Sequence, residues 1–275
     1  MPAFNSISTE KLARRIGTPD CPLIIDVRSP EDLQADRRVI PTSQLKPFAT
    51  LEAWSAGLAG KPVVVACNRG LKLSEGVAAL LRLRGVAAEV LEGGFVGWKA
   101  AGLPLVPLDL LPSPDDHAGS LWVTRHRPKI DRIACPWLIR RFVDPGARFM
   151  FVAPSEVMSV AEIFGATPFD VADTFFSHRD DQCSFDTMVK EFHLSFPALE
   201  RLATIVRAAD TDRAELAPEA KGLLAISLGL SRIYSDDLAQ MEAGMLIYDC
   251  LYRFVRDASD ETHDWISHVP KGKSK

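Results

Sequence analysis

A cysteine between a strand and a helix is the first residue whose surroundings could support chemistry. Cys67 follows the apolar run Val63 to Val65, and a helical pattern starts near Ser74. The loop between them, residues 67–72, reads Cys-Asn-Arg-Gly-Leu-Lys. A glycine lets successive backbone N–H groups converge, and the next helix presents its positive end to the same point. Together with two cations, these features favour a thiolate over a thiol.

The chemistry that this loop predicts is sulfur transfer. Cys67 would attack a small-molecule sulfur donor, carry the sulfur as a persulfide, and pass it to an acceptor thiol or to cyanide. No cofactor is required for these steps. The alternative is a buried core cysteine beside a basic loop, because unpaired cysteines are often buried. The donor would be bound by the rest of the loop, Asn68, Arg69, Gly70, Leu71 and Lys72.

A second group of reactive side chains lies between residues 175 and 212. Histidine, cysteine and carboxylate are the ligand types of transition metals. We expect a transition-metal site formed by His178, Cys183 and Asp210, although their spacing matches no standard motif. The alternative is a structural His–Cys pair, with Ser184 capping the helix that follows.

Basic residues gather just before this region. Such a cluster can bind an oxyanion or nucleic acid, or it can form a solvated face paired with nearby carboxylates. The net charge of −4 and the lack of a helix-turn-helix pattern argue against DNA as the partner. The cluster comprises Arg125, Arg127, Lys129, Arg132, Arg140 and Arg141.

The first hundred residues predict the scaffold that holds the cysteine loop. Apolar runs at 22–29, 61–67 and 87–94 alternate with helical patterns. This alternation predicts an α/β fold, a parallel sheet with helices on both faces. Ligands bind at the carboxyl ends of the strands in such sheets, which is where Cys67 lies.

The second half predicts a mostly helical α+β domain. Strands are expected at 121–125 and 148–153, and a helix at 134–143. Helical patterns dominate the rest, and Cys250 is expected in the core of the last helix. A proline-rich segment separates the halves. The predicted organisation is therefore a first domain, a linker, a second domain and a lysine-rich tail, at residues 1–108, 109–119, 120–262 and 263–275.

From the composition and the cysteines we expect a cytoplasmic protein. Of 275 residues, 47% are hydrophobic, which suits a globular protein. The five cysteines form no C-x-x-C pair and are expected as free thiols in a reducing compartment. The chain begins without the apolar segment of a signal peptide, and no apolar run approaches the length that crosses a bilayer. We expect no membrane association, and the sequence does not predict an oligomeric state.

The first half resembles the rhodanese homology family. Its three signature blocks occur in order as IIDVRSPEDL (24–33), CNRGLK (67–72) and EVLEGGFVGWKAAGLPL (89–105). The resemblance implies a sulfurtransferase with Cys67 as the persulfide-bearing residue. It implies structural roles for Asp26, Arg28, Gly93, Gly94 and Trp98. The loop departs from the family pattern in ending with Lys72, since relatives often have arginine there.

The second half resembles the chromate-resistance ChrB family. The blocks that carry the likeness include DRIACPWLIRRFVDP (131–145), SHRDDQCSFD (177–186) and RAADTD (207–212). The resemblance implies a role in chromate tolerance, either as a chromate-responsive regulator or as an accessory protein. The candidate residues that it adds are Asp131, Arg132 and Cys135.

These observations predict a rhodanese-type sulfurtransferase fused to a domain linked to chromate resistance. The alternative is a chromate-responsive regulator, or a protein that binds an oxyanion such as chromate or a metal through its second domain, which could itself be a metal-dependent enzyme.

Overall fold

The computed structural model describes residues 5–112 and 119–261. The predicted linker, 109–119, lies partly outside the described residues, and the predicted tail, 263–275, lies entirely outside them. Within the described ranges, no helix has the length and the apolar character needed to span a bilayer.

The first half contains a parallel sheet whose strands run in the order β1-β6-β5-β2-β4. An antiparallel pair, β3 and β7, lies beside it. The strands are β1 (Ser6–Ile7), β2 (Leu23–Asp26), β3 (Arg38–Val39), β4 (Gln44–Leu45), β5 (Pro62–Ala66), β6 (Ala87–Leu91) and β7 (Val106–Pro107). The helices are α1 (Thr9–Arg15), α2 (Pro30–Ala35), α3 (Leu51–Trp54), α4 (Lys72–Leu83) and α5 (Gly94–Ala100).

Helices cover both faces of this sheet, as the sequence predicts. Successive side chains of a strand point to opposite faces. On β5, Val64 packs into the cluster that contains residues of α1 and α5, whereas Val63 and Val65 pack with residues of α3 and α4. Both faces of the strand are therefore buried, which explains its uninterrupted run of valines.

The second half has a smaller parallel sheet, in the order β10-β8-β9, and is otherwise helical. Its strands are β8 (Leu121–Arg125), β9 (Arg148–Val152) and β10 (Thr167–Pro168). Its helices are α6 (Asp131–Leu138), α7 (Val157–Phe164), α8 (Ser184–Glu191), α9 (Pro197–Asp210), α10 (Ala220–Ile233) and α11 (Asp237–Arg253). π-helical turns extend α6 and α11 over Ile139–Val143 and Phe254–Ala258.

The predicted fold class is confirmed, with two local corrections. The helix expected at 134–143 begins earlier, and Asp131 is its first residue. The expectation that Cys250 lies in the core is wrong, because this residue is exposed. On a helix, Cys250 is rotated by about 200° from Tyr248, and it is Tyr248 and Tyr252 that form the buried face.

The two halves share one hydrophobic cluster. It runs from Trp98 in α5 to Phe142 and Tyr252 in the second half. The backbone N–H of Thr42 donates to the carbonyl of Phe142 at 3.1 Å. At Gly17, whose φ is +81°, an added Cβ would overlap the Phe142 ring, so the backbone approaches that ring as closely as glycine permits.

Candidate functional sites

Cys67 lies directly after β5, at the carboxyl end of the parallel sheet, and α4 begins five residues later. Its side chain is only 5% exposed, and its Sγ lies 3.2 Å from the Ser74 Oγ. Burial raises the pKa of Cys67, but hydrogen bonds outweigh it and leave the pKa lowered. The groups responsible are the Ser74 hydroxyl, which can donate to a thiolate, and the backbone N–H groups of residues 74, 71 and 69.

Two glycines allow the cysteine loop to touch the loop after β6. An added Cβ at Gly94 would overlap the Cys67 carbonyl, and one at Gly70 would overlap the Leu91 carbonyl. With the glycines in place, the N–H of Phe95 donates to the Cys67 carbonyl at 2.9 Å. The two loops are therefore in direct backbone contact, which fits the structural role expected of Gly94.

Asp26 and Arg28 form a buried ion pair at the end of β2. The Asp26 carboxylate accepts a 2.8 Å bond from the Arg28 guanidinium, which also donates to the Arg38 carbonyl at 2.7 Å. The guanidinium lies 3.8 Å from the centre of the Phe95 ring. These contacts fix the neighbouring strand end and the start of α5, so both residues act in structure rather than in chemistry.

The other loop residues divide into one structural side chain and three exposed ones. Asn68 donates to the Asp32 carboxylate at 2.8 Å and thereby joins the loop to α2. Arg69, Leu71 and Lys72 are exposed. In the part of the chain that the structure describes, Arg69 and Lys72 enter no ion pair, which leaves both charges free to meet an anion.

The sequence did not identify Ser74 as a site residue. Its hydroxyl is buried beside the cysteine because Ser74 occupies the first turn of α4 and faces back toward the loop. The signal that could have found it is a small polar residue in the first helical turn after the nucleophile.

In the second half, the structure gathers His178 with three carboxylates. The Nε2 of His178 lies 3.4 Å from Asp131 Oδ2, 3.4 Å from Asp170 Oδ1 and 3.3 Å from Asp210 Oδ2. The first two aspartates are buried, whereas the histidine side chain is 42% exposed. Sequence reasoning proposed His178, Asp210 and Asp131 but missed Asp170.

The fold brings this group together at the carboxyl end of the smaller sheet. Asp131 opens α6 after β8, Asp170 follows β10, and Asp210 ends α9. The N–H of Asp170 donates to the carbonyl of Phe176 at 2.9 Å, which turns the chain back toward the sheet before His178. A carboxylate directly after a short strand was the signal for Asp170, since strand ends of parallel sheets collect ligand-binding residues.

Helix α8 orients two of the carboxylates. The N–H of Ser184 donates to Asp131 Oδ2 at 2.6 Å, and its hydroxyl donates to Asp170 Oδ1 at 2.8 Å. Arg125 donates to the other oxygen of Asp170 at 2.9 Å. Ser184 is therefore not the cap that the sequence suggested, because the N-cap position of α8 belongs to Cys183.

The thiol of Cys183 faces Asp186. Both its S–H and its backbone N–H donate to the Asp186 carboxylate, at 3.2 and 3.0 Å. Burial, together with the charges of Asp131 and Asp186, raises the pKa of Cys183 well above its usual value. A fully buried neutral thiol held in this way forms a helix cap.

The electrostatics of the cluster are those of crowded carboxylates. Burial and the charges of Asp210 and Asp170 raise the pKa of Asp131 to about 6. The three carboxylates beside it, Asp131 first, raise the pKa of His178 to about 12. Burial and the nearby carboxylates raise the pKa of Cys135 well above its usual value, so its thiol stays protonated and unreactive.

The basic residues, for which the sequence left open a binding cluster or a face paired with carboxylates, are divided among separate partners. Arg125 and Arg132 lie against Asp170, at 2.9 and 3.7 Å. Arg127 donates to the carbonyls of Ser231 and Tyr234. The others pair with α11, Arg140 with Glu242 at 2.6 Å and Arg141 with Asp249 at 2.8 Å, whereas Lys129 is exposed.

Two family models match this chain. The rhodanese-like domain matches residues 8–101, and the C-terminal domain of ChrB matches residues 122–255. Protein ChrB of Cupriavidus metallidurans is 34% identical over 141 residues, which are 50% of this chain and 42% of that protein. The chain therefore spans less than half the length of this relative. An uncharacterized protein of Synechocystis is 28% identical over 172 residues, 58% of this chain and 90% of that protein.

Solved structures with rhodanese names align with part of the chain. A rhodanese-related protein from Thermoplasma volcanium is 27% identical, with a TM-score of 0.33, over 38% of this chain and 98% of that one. A thiosulfate sulfurtransferase from Pseudomonas aeruginosa is 23% identical, also with a TM-score of 0.33, over 40% of this chain and 21% of that one.

Proposed function

We propose that this chain, in which residues 8–101 form a rhodanese-like domain and residues 122–255 form a ChrB C-terminal domain, transfers sulfane sulfur through a persulfide on Cys67. One observation carries the proposal. The Cys67 sulfur lies between the end of β5 and the start of α4, 3.2 Å from the Ser74 hydroxyl, and this hydroxyl and three backbone N–H groups lower the pKa of the thiol despite burial. Such an arrangement favours the thiolate and would equally hold the anionic outer sulfur of a persulfide.

The transfer proceeds in two displacements. The Cys67 thiolate attacks the outer sulfur of a donor such as thiosulfate, the S–S bond of the donor breaks, and sulfite leaves with the electron pair. An acceptor thiolate or cyanide then attacks the outer sulfur of the Cys67 persulfide. The Cys67 thiolate is the second leaving group, so the enzyme returns to its starting state without a cofactor. Arg69 and Lys72 are the exposed charges that would attract the anionic donor.

The Ser74 hydroxyl has one proton and two neighbours that could accept it. The hydroxyl lies 3.0 Å from the Leu71 carbonyl and 3.2 Å from the Cys67 sulfur. The Leu71 carbonyl also accepts from the N–H of Glu75 at 2.9 Å. Because that carbonyl keeps a partner, the hydroxyl can rotate toward the sulfur when the thiolate forms.

Mass spectrometry tests this proposal. The folded full chain is incubated with thiosulfate, and a peptide containing Cys67 should gain the mass of one sulfur atom and lose it on addition of cyanide. Cys67→Ser should abolish the gain, whereas Cys250→Ser, at an exposed cysteine, should leave it intact. An unmodified Cys67 in folded protein would contradict the proposal.

We also propose that the second domain connects sulfur transfer to chromate resistance. The support is its likeness to ChrB and its fusion to the rhodanese-like domain. The alternative of a regulator that binds an oxyanion or DNA through residues 125–148 has less support, since most of these cations already have partners. Growth on chromate of a host lacking this gene should be restored by the wild type and not by Cys67→Ser. Equal rescue by both would separate resistance from sulfur transfer.

A further inference from the structure

His178 faces more hydrogen-bond acceptors than one imidazole nitrogen can use. Its Nε2 faces three carboxylate oxygens, from Asp131, Asp170 and Asp210, at 3.3–3.4 Å. An imidazole nitrogen carries at most one hydrogen, which points in one direction in the ring plane. All three distances exceed the roughly 2.7–3.2 Å of ordinary N–H···O bonds. Nε2 and the three carboxylate oxygens therefore surround a common point, an arrangement that a single N–H···O hydrogen bond does not explain.

The spacing suits a metal ion. An octahedral ion with ligands at about 2.1 Å separates neighbouring ligand atoms by about 3.0 Å. Ligand atoms of Asp131, Asp170 and His178 all lie within 4.8 Å of one another. A single ion can therefore contact all three. Asp210, whose Oδ2 lies 3.3 Å from His178 Nε2, borders this group.

An unpartnered buried atom supports the same conclusion. The Asp131 side chain is 2% exposed, and its Oδ1 has no hydrogen-bond partner among residues 5–112 and 119–261. Its Oδ2 is held by the N–H of Ser184 at 2.6 Å. A buried carboxylate oxygen without a partner is costly, and a cation beside it would remove that cost.

The cluster is also accessible to an ion from solvent. Asp131 and Asp170 are buried, but His178 and Asp210 are 42% and 21% exposed. The arrangement is therefore closed on the protein side and open on the solvent side. Metal sites that retain water at one position have this form.

We propose that Asp131, Asp170 and His178 bind one divalent first-row metal ion of the oxygen-preferring kind, beside the Asp210 carboxylate, and Mn²⁺ is the probe for it. Carboxylates with one imidazole and no thiolate favour Mn²⁺ or Fe²⁺ over metals that select sulfur. Asp131 and Asp170 are ligands in this proposed site, whereas the sequence predicted Cys183 as a ligand. The site is in the second half and does not depend on sulfur transfer at Cys67.

Titration of the chelator-treated full chain with Mn²⁺ tests the site, followed by electron paramagnetic resonance and by the thermal unfolding midpoint. We expect one saturable Mn²⁺ per chain and a rise in the midpoint. Asp210→Asn and His178→Ala should each weaken binding about tenfold or more, because the first removes the negative charge beside His178 and the second removes a ligand. Circular dichroism establishes that each variant is folded.

Asp212→Asn is the matched control, since it makes the same change two residues away at an exposed side chain. It should bind Mn²⁺ like the wild type, as should Cys67→Ser. The proposal is overturned if the wild type binds no stoichiometric Mn²⁺. It is also overturned if folded Asp210→Asn and His178→Ala bind it as the wild type does, or if Asp212→Asn loses binding as they do.

Discussion

At the scale of single residues, the proposed sulfur transfer depends on whether Cys67 is present as a thiolate. Burial of the Cys67 sulfur by itself favours the protonated thiol. Four hydrogen-bond donors near the sulfur nevertheless lower its pKa. An acid whose pKa is lower in the folded state stabilises the fold at pH values above its unfolded pKa. That contribution disappears as the pH falls through the folded pKa of Cys67, so we expect formation of the thiolate to stabilise its own loop.

Ser74→Ala should therefore slow sulfur uptake. Loss of one hydrogen bond to a charged group costs about 1.5–3 kcal/mol, which corresponds to a rate lower by roughly tenfold or more near neutral pH. The pKa of Cys67 should rise, so the pH profile of persulfide formation should move to higher pH. The measurement is the initial rate of persulfide formation against pH.

Ser159→Ala is the control for this prediction, because it makes the same change at an exposed serine of α7. Its pH profile should match that of the wild type. An unshifted profile in folded Ser74→Ala would show that the hydroxyl does not tune the thiol.

At the scale of elements, the first turn of α8 organises the carboxylate cluster. Cys183 caps the helix through Asp186, and Ser184 in the next position holds Asp131 and Asp170. A cysteine in this position resembles a metal ligand in the sequence, because a buried thiol near a histidine and carboxylates has the right chemistry for one. In the structure its proton is used for a hydrogen bond.

Cys183→Ser should preserve the cap, since a hydroxyl can donate to Asp186 and serine is a favoured N-cap residue. Cys183→Ala should lower the free energy of unfolding by about 1 kcal/mol, because the cap is lost. Urea denaturation of the two variants and the wild type gives this comparison. Loss of Mn²⁺ binding in a stable Cys183→Ser protein would instead identify the thiol as a ligand.

At the scale of the whole molecule, the two halves behave as one packed body in the described residues. Gly17 approaches Phe142 and Tyr252 of the second half without a side chain between them. Residues of α1 and α5, which cover one face of the first sheet, therefore share a hydrophobic cluster with the second half. We expect substitutions at this contact to affect the stability of both halves.

Gly17→Ala should destabilise the protein more than Gly57→Ala. Both glycines have positive φ, +81° and +78°, but an added Cβ overlaps Phe142 at Gly17 and meets nothing within 4 Å at Gly57. The backbone cost is common to both, so the difference reports overpacking between the halves, about 1–3 kcal/mol. Urea denaturation measures it, and equal values for the two variants would contradict a tight contact.

The sequence by itself determined what local chemistry and periodicity can specify. The run Val63 to Val65 predicts a strand buried on both faces, and the loop after it predicts a thiol among amide hydrogens, because both depend on neighbours along the chain. The parallel sheet follows from alternating strand and helix patterns. The resemblance to two families added what each half is similar to.

Only the tertiary structure decided which distant side chains meet. Asp131, Asp170 and Asp210 come from three elements separated by tens of residues, and their distances to His178 depend on how β8, β10 and α9 pack. The same holds for the contact of Gly17 with Phe142. The spacing of residues along the chain does not predict such contacts, because they depend on the burial of apolar faces and on close packing of the whole chain.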